Sequence, residues 1–244
     1  MRVQDSGRKS EQNMDACCAA SRNDRIRAMN YQLFSRILLA PVDSSLLKAL
    51  ESVDFRASAE DVRVVEGCAL VDSYLESNGL GPATLDELAA DYHFLISVDA
   101  QRGARQVSPF ETVNFAIDED DADDLLDDVY ATFTEEGVLL SPDWAAHPDH
   151  VSAELELMGI LARRASGYRG RRDETELTAC LEAQRSFFAG HVGNWVPSLA
   201  ASLEEQARTS FYRGAALCLS GFLSLEARHL GFDDSRSLRE GISA

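Results

Sequence analysis

The chain has 244 residues, 45% of them hydrophobic, and its 41 acidic and 23 basic residues leave a net charge of -18. That length supports one sizeable core, and that charge repels nucleic acid and anionic membrane surfaces while favouring cationic partners. Cys17, Cys18, Cys68, Cys180 and Cys218 contain no CxxC and are odd in number, which argues against a disulfide framework and for a reducing compartment.

Residues 1–21 are polar, lack the apolar stretch of a secretory signal and read as a disordered leader. Over residues 22–40, Ile26, Met29, Leu33, Phe34, Ile37 and Leu38 recur at three and four, and Pro41 ends the predicted helix. A short helical turn follows around residues 44–50. Ser58 precedes Asp61 at cap spacing, and Val62, Val65, Ala69 and Leu75 mark the face of a helix ending at Asn78-Gly79. Thr84 and Glu87 form a capping box for TLDELAADYHFLIS. After a polar connection over 99–108, Pro109 is placed to open a helix running through PFETVNFAI. The run DEDDADDLLDD keeps helical spacing through Leu125, Leu126, Val129, Tyr130 and Phe133 up to Gly137, with its acids at the favoured N-terminal end. It lacks the glycine and the Asx spacing of a calcium loop.

VLLSPDWAAHPDH reads as a linker between two helical halves. A helix over about 148–165 follows, then the basic loop GYRGRRDE, then amphipathic helices over 174–190, 193–208 and 210–230 and a loose tail over 231–244. No strand alternation, phosphate loop, fixed-period repeat or membrane-length apolar window is present. The fold class is therefore all-α: a single helical domain of nine or ten helices, its halves at 22–137 and 149–230 joined by a hinge at 138–148.

The densest cluster of chemically active side chains is HPDHVSAE, from His147 to Glu154. His150 and Glu154 lie at i and i+4, so they share a helix face and could bind one metal if His191 or His93 supplied a third ligand. The spacing is HxxH with Pro148 inside it, not the HExxH of a zinc hydrolase. The plainer reading has Asp149 capping the first turn and Glu154 on a solvated face. No GxSxG elbow or activated cysteine supports nucleophilic catalysis. Trp144 and Trp195 read as core or groove aromatics, and Pro197 as a helix-start residue or a kink.

DYHFLISV, SPFETVNF, HPDHVSAELELMGILA, FFAGHVGNWVP and FYRGAALCLSGFLSLE follow one another in an order and spacing that resemble the TorD/DmsD/NarJ family of redox-enzyme maturation chaperones, over about residues 22–230. The resemblance implies a TorD-like all-helical fold and a cytoplasmic, non-enzymatic protein without cofactor or metal. It also implies partners: the twin-arginine leader and catalytic subunit of a molybdopterin oxidoreductase, whose cofactor insertion, folding and export proofreading the chaperone assists. Carried over residue by residue, the leader-binding positions are Pro148, Asp149, His150 and Glu154 with Tyr92, Glu111, Trp195 and the neighbouring His147. Leu95, Pro109, Leu155, His191 and Pro197 match further family positions.

His147 stands where many members have Glu, Phe110 replaces Tyr, Thr112 replaces Ser and Ile96 replaces Phe, so leader selectivity is where this chain is expected to differ. Carboxylates such as Asp149 and Glu154 suit paired, charge-assisted bonds to leader arginines, and a hydrophobic groove suits the apolar helix that follows them. The resemblance leaves a monomer and a domain-swapped dimer open. Two other readings stand beside it: a helical metal-dependent enzyme using His150, Glu154 and a distant His, and a helical interaction protein serving another client.

Overall fold

The computed structural model describes residues 3–51, 61–97, 106–115, 118–140 and 147–232. Among them are ten α-helices: α1 Val3–Leu39, α2 Ser44–Glu51, α3 Val62–Asn78, α4 Pro82–Leu95, α5 Glu111–Phe115, α6 Glu119–Glu135, α7 Val151–Arg171, α8 Glu174–Phe187, α9 Gly193–Gln206 and α10 Ser210–His229. A π-helical turn, Phe188–Val192, joins α8 to α9. Pairing between extended segments among the described residues is confined to two isolated bridges, Ile96 with Val107 and Phe110 with His150. The all-α expectation therefore holds.

Two antiparallel helix pairs organise the core. On α1 the buried positions Asp24, Arg27, Ala28, Tyr31, Phe34, Ile37 and Leu38 recur at three and four and form one stripe, which packs against α7. Ser35 Oγ donates to Ser152 O at 2.8 Å and Ser21 Oγ to Ser166 O at 3.2 Å, an equal step in opposite directions. Gly159 permits the crossing between them: a Cβ there would lie 3.2 Å from Tyr31 Cβ and 3.3 Å from Ala28 O. The second pair, α3 and α10, comes closer still. A Cβ on Gly67 would stand 2.5 Å from Gly214 O, and one on Gly221 2.6 Å from Val64 Cγ2, so only glycine fits.

Several boundaries differ from the sequence reading, each for a tertiary reason. The expected disordered leader is helical from Val3, and by Cys17 that helix lies on α7, where Cys17 Sγ donates to Arg169 O at 3.5 Å. The expected basic loop GYRGRRDE is instead the last turns of α7, which ends at Arg172 in the left-handed conformation, φ 57°; its glycines are tolerated because Arg169 pairs with Asp24 of α1 at 2.7 Å. These two surprises are one event, since the end of α7 is covered by the beginning of α1.

On α3 the expected face is rotated. Val62 and Val65 are exposed, whereas Gly67, Cys68 and Tyr74 are buried, because the close approach to α10 selects the glycine side. The capping box at Thr84 does not form: Pro82 opens α4, Thr84 Oγ1 donates to Asn78 O, and Glu87 accepts from Tyr74. Pro109 does not start a helix either, since it lies in an extended segment ahead of α5. Ser58, Trp144 and most of the 99–108 connection fall outside the described residues.

Candidate functional site

The Pro-Asp-His turn is pinned by main-chain bonds to the segment before α5. Glu111 N donates to Asp149 O at 3.0 Å and Val151 N to Pro109 O at 2.8 Å, so residues 109–111 and 149–151 run alongside each other like a two-rung ladder. Asp149, expected to cap the helix that follows it, instead accepts from Thr112 N at 3.1 Å and Thr112 Oγ1 at 2.7 Å. It therefore caps α5 across the ladder and satisfies donors that α5 leaves unpaired. His150 caps α7: its Nδ1 accepts from Ser152 N at 3.1 Å. Burial, and then the neighbouring His147, pulls the His150 imidazole down to about 4, so it is neutral at pH 7 and suited to accept that bond. The Phe110 ring lies between the rings of His147 and His150, at 5.1 and 5.4 Å.

Beneath the ladder two acids face two N–H donors. Glu111 of α5 and Glu154 of α7 are 1% and 0% exposed. His191 and Trp195, one turn apart across the π-turn and the start of α9, reach them: His191 Nδ1 lies 2.9 Å from Glu111 Oε2, and Trp195 Nε1 donates to Glu154 Oε2 at 2.9 Å. Gly193 lets this segment fold as it does, since a Cβ there would collide with the Phe188 ring at 2.6 Å. The other His191 nitrogen, Nε2, lies 3.2 Å from Asp128 Oδ2 on α6. With a carboxylate at each nitrogen, the ring fits the imidazolium form, and although burial pulls its pKa down, Glu111 and Asp128 outweigh burial and raise it.

Glu154 was expected on a solvated face and is instead fully buried. Its Oε1 has no hydrogen-bond partner. Burial, and then the charge of Glu111, pushes its carboxyl well above the usual range, which favours its protonated form.

Of the eight positions carried over from the family, Pro148, Asp149, His150, Glu154, Glu111 and Trp195 are brought into this one assembly, together with His191. His147 lies above it and is the only one of the eight that is solvent-exposed. Tyr92 lies elsewhere, its hydroxyl donating to Leu38 O at 3.0 Å and pushed by burial up to about 12. For the metal reading, His150 Nδ1 and Glu154 Oε2 both already accept hydrogen bonds, and among the described residues no group of three His, Cys, Asp or Glu could hold a metal ion.

Two features escaped the sequence reading. One is a buried ion network: Arg27 of α1 donates through Nε to Glu226 Oε1 of α10 at 2.8 Å, through NH2 to Gln184 Oε1 of α8 at 2.8 Å, and through NH1 to Asp24 at 3.2 Å. Asp24 and Arg27 fall on the apolar stripe of α1, a signal that was present in the spacing. The other is an apolar groove of about 540 Å³ between α1, α2, α3 and α10, with Met29, Leu33, Val64, Val71 and Phe222 in its walls and Arg36 and Asp72 among its polar lining residues. Exposed Ile26 and Met29 belong to it.

No helix among the described residues is long and apolar enough to cross a membrane. Residues 59–201, more than half of the chain, match the family model described as the nitrate reductase delta subunit. No curated protein and no solved structure matches the chain.

Proposed function

We propose, from the premise that this chain belongs to the nitrate reductase delta subunit family of NarJ/TorD-type redox-enzyme maturation chaperones, that it is a cytoplasmic chaperone. It binds the twin-arginine leader of a molybdopterin oxidoreductase catalytic subunit and holds that subunit until its cofactor is inserted and it is folded for export. The observation that carries the reading is the groove. Its volume of about 540 Å³ lies in the range of ligand sites and has room for several apolar side chains, the face an amphipathic leader helix would offer. The leader's arginines meet a protein of net charge -18, which speeds encounter in a salt-dependent way.

The acid assembly has a different part in this reading. Asp149, Glu154 and Glu111 are buried, so a leader arginine reaches them only when the 147–150 turn leaves α5. As the chain stands, they hold that turn in place and leave His147 as the exposed residue of the turn that meets the client.

Calorimetry with a synthetic twin-arginine leader tests both parts. Met29→Asn takes apolar surface from an exposed groove position and is expected to weaken binding about tenfold, a loss of about 1.4 kcal/mol. Asp149→Ala is expected to weaken it at least tenfold with helicity retained. Unchanged affinity in Met29→Asn would sink the groove as the binding surface.

A further inference from the structure

Two thiols lie side by side in the wall of the groove. Cys68 of α3 and Cys218 of α10 have their sulfurs 3.6 Å apart, and both line the cavity. The backbones that carry them cannot drift apart without opening the glycine crossing, where a Cβ on Gly67 would meet Gly214 O at 2.5 Å and Cys218 Sγ at 2.6 Å. Cys218 Sγ also lies 3.6 Å from Val64 O, one turn before Cys68. A disulfide needs about 2.05 Å between sulfurs and helices already held close; here rotation about the side chains supplies the remaining approach without moving either helix axis far.

We propose that Cys68 and Cys218 are a reversible disulfide site that closes when peroxide enters the groove and locks α3 against α10 along the groove wall. One thiol, as thiolate, attacks the peroxide O–O bond, forming a sulfenic acid and releasing hydroxide, which takes up the thiol's proton as water. The second thiol then attacks that sulfur, the S–S bond forms and a second water leaves. Two thiols are oxidised by two electrons and one peroxide is reduced to two waters. The Cys68 contact, then burial, pushes the Cys218 thiol up, which slows attack by that sulfur. The bond would enclose nearly the whole of the chain between α3 and α10, where cross-linking restricts the unfolded state most. It does not depend on what occupies the groove; only its effect on client binding rests on the reading above.

The test uses the full chain carrying Cys17→Ser and Cys18→Ser, which leaves Cys68, Cys180 and Cys218. After hydrogen peroxide treatment, the protein is denatured, alkylated and weighed. The expected result is a loss of two hydrogens, alkylation of Cys180 alone, and a proteolytic fragment joining the Cys68 and Cys218 peptides. Tm should rise by about 5 to 10 °C and fall back with dithiothreitol. Adding Cys68→Ser or Cys218→Ser should abolish both changes. All three thiols remaining alkylatable, or a cross-link involving Cys180, would overturn the proposal. Because mass reads the bond and calorimetry reads the leader, failure of one assignment is distinguishable from failure of the other.

Discussion

The two buried polar assemblies of this protein solve opposite problems. At the meeting of α1, α7, α8 and α10, Arg27 and Arg169 face Asp24 and Glu226, with Gln184 Oε1 accepting from Arg27 NH2: two cations match two anions. Beneath the Pro-Asp-His turn, Glu111, Glu154 and Asp149 are buried with one cationic candidate, His191. The first assembly is balanced by side chains and its strength depends on geometry. The second holds more acid than base, and burial beside Glu111 raises the Glu154 carboxyl, so its strength depends on pH. A buried ion network and a buried acid cluster look equally saturated in a burial profile, but only the second is expected to respond to solution conditions over the ordinary range.

Breaking the balanced assembly should have the largest effect. Arg27→Met strands Glu226 in the interior and leaves Asp24 with Arg169 alone, and urea unfolding at pH 7 is expected to show a loss of about 3 to 5 kcal/mol; a loss below 1 kcal/mol would mean that the charges are not desolvated as placed.

The turn should respond next, through acid. A base with a depressed folded value contributes stability that is present above its ordinary value of 6.5 and lost as pH falls toward about 4, up to about 3 kcal/mol. Its titrating surroundings include His147, and Asp149 precedes it in the chain. His150→Asn keeps a capping side chain and should remove most of that acid limb when unfolding is followed from pH 7 to pH 4.

Asp149→Ala leaves Thr112 N and Oγ1 without their acceptor, and thermal unfolding is expected to show about 1 to 2 kcal/mol of destabilisation. Smallest is Glu154→Gln, within about 1 kcal/mol, because an amide keeps the shape of the buried carboxyl and can still accept from Trp195. Its signature is a slope. Glu154's folded value is raised, so its stability contribution is full below its ordinary value of 4.5 and is lost as pH rises through the raised one. The variant should flatten that decline with rising pH, and a decline that persists unchanged would assign it to another group, His191 first, whose raised value acts in the same direction.

Local signals in the sequence were faithful wherever local physics decided the outcome. Apolar spacing placed α6 and the part of α1 from Arg22 onward, Gly137 marked a real helix end, and the order of the motifs pointed to the family that the match over 59–201 shows. What did not read through was which face each helix turns inward. Val62 and Val65 looked like core by period, but Gly67 and Gly214 settled the packing of α3, and a glycine carries no hydropathy signal. Glu154 looked solvated by type and was buried because Trp195, 41 residues away, supplies its partner. The HPDHVSAE cluster was correctly singled out as the focus of the chemistry, while its inward orientation depends on contacts with α5 and α9 that no window of sequence contains.

The antiparallel seam of α1 on α7, together with the reach of Arg27 to Glu226, bears on time as well as on space. The two ends of that ion pair are 199 residues apart, so a chain leaving the ribosome makes its first helix early and completes that helix's environment only when α10 is synthesised. Until then, Arg27 on the apolar stripe of α1 has Asp24 beside it but lacks Glu226, which disfavours premature burial of that face. Contacts of such long separation slow folding. The groove, built from α1, α2, α3 and α10, is thus among the last surfaces to be completed as the chain is made.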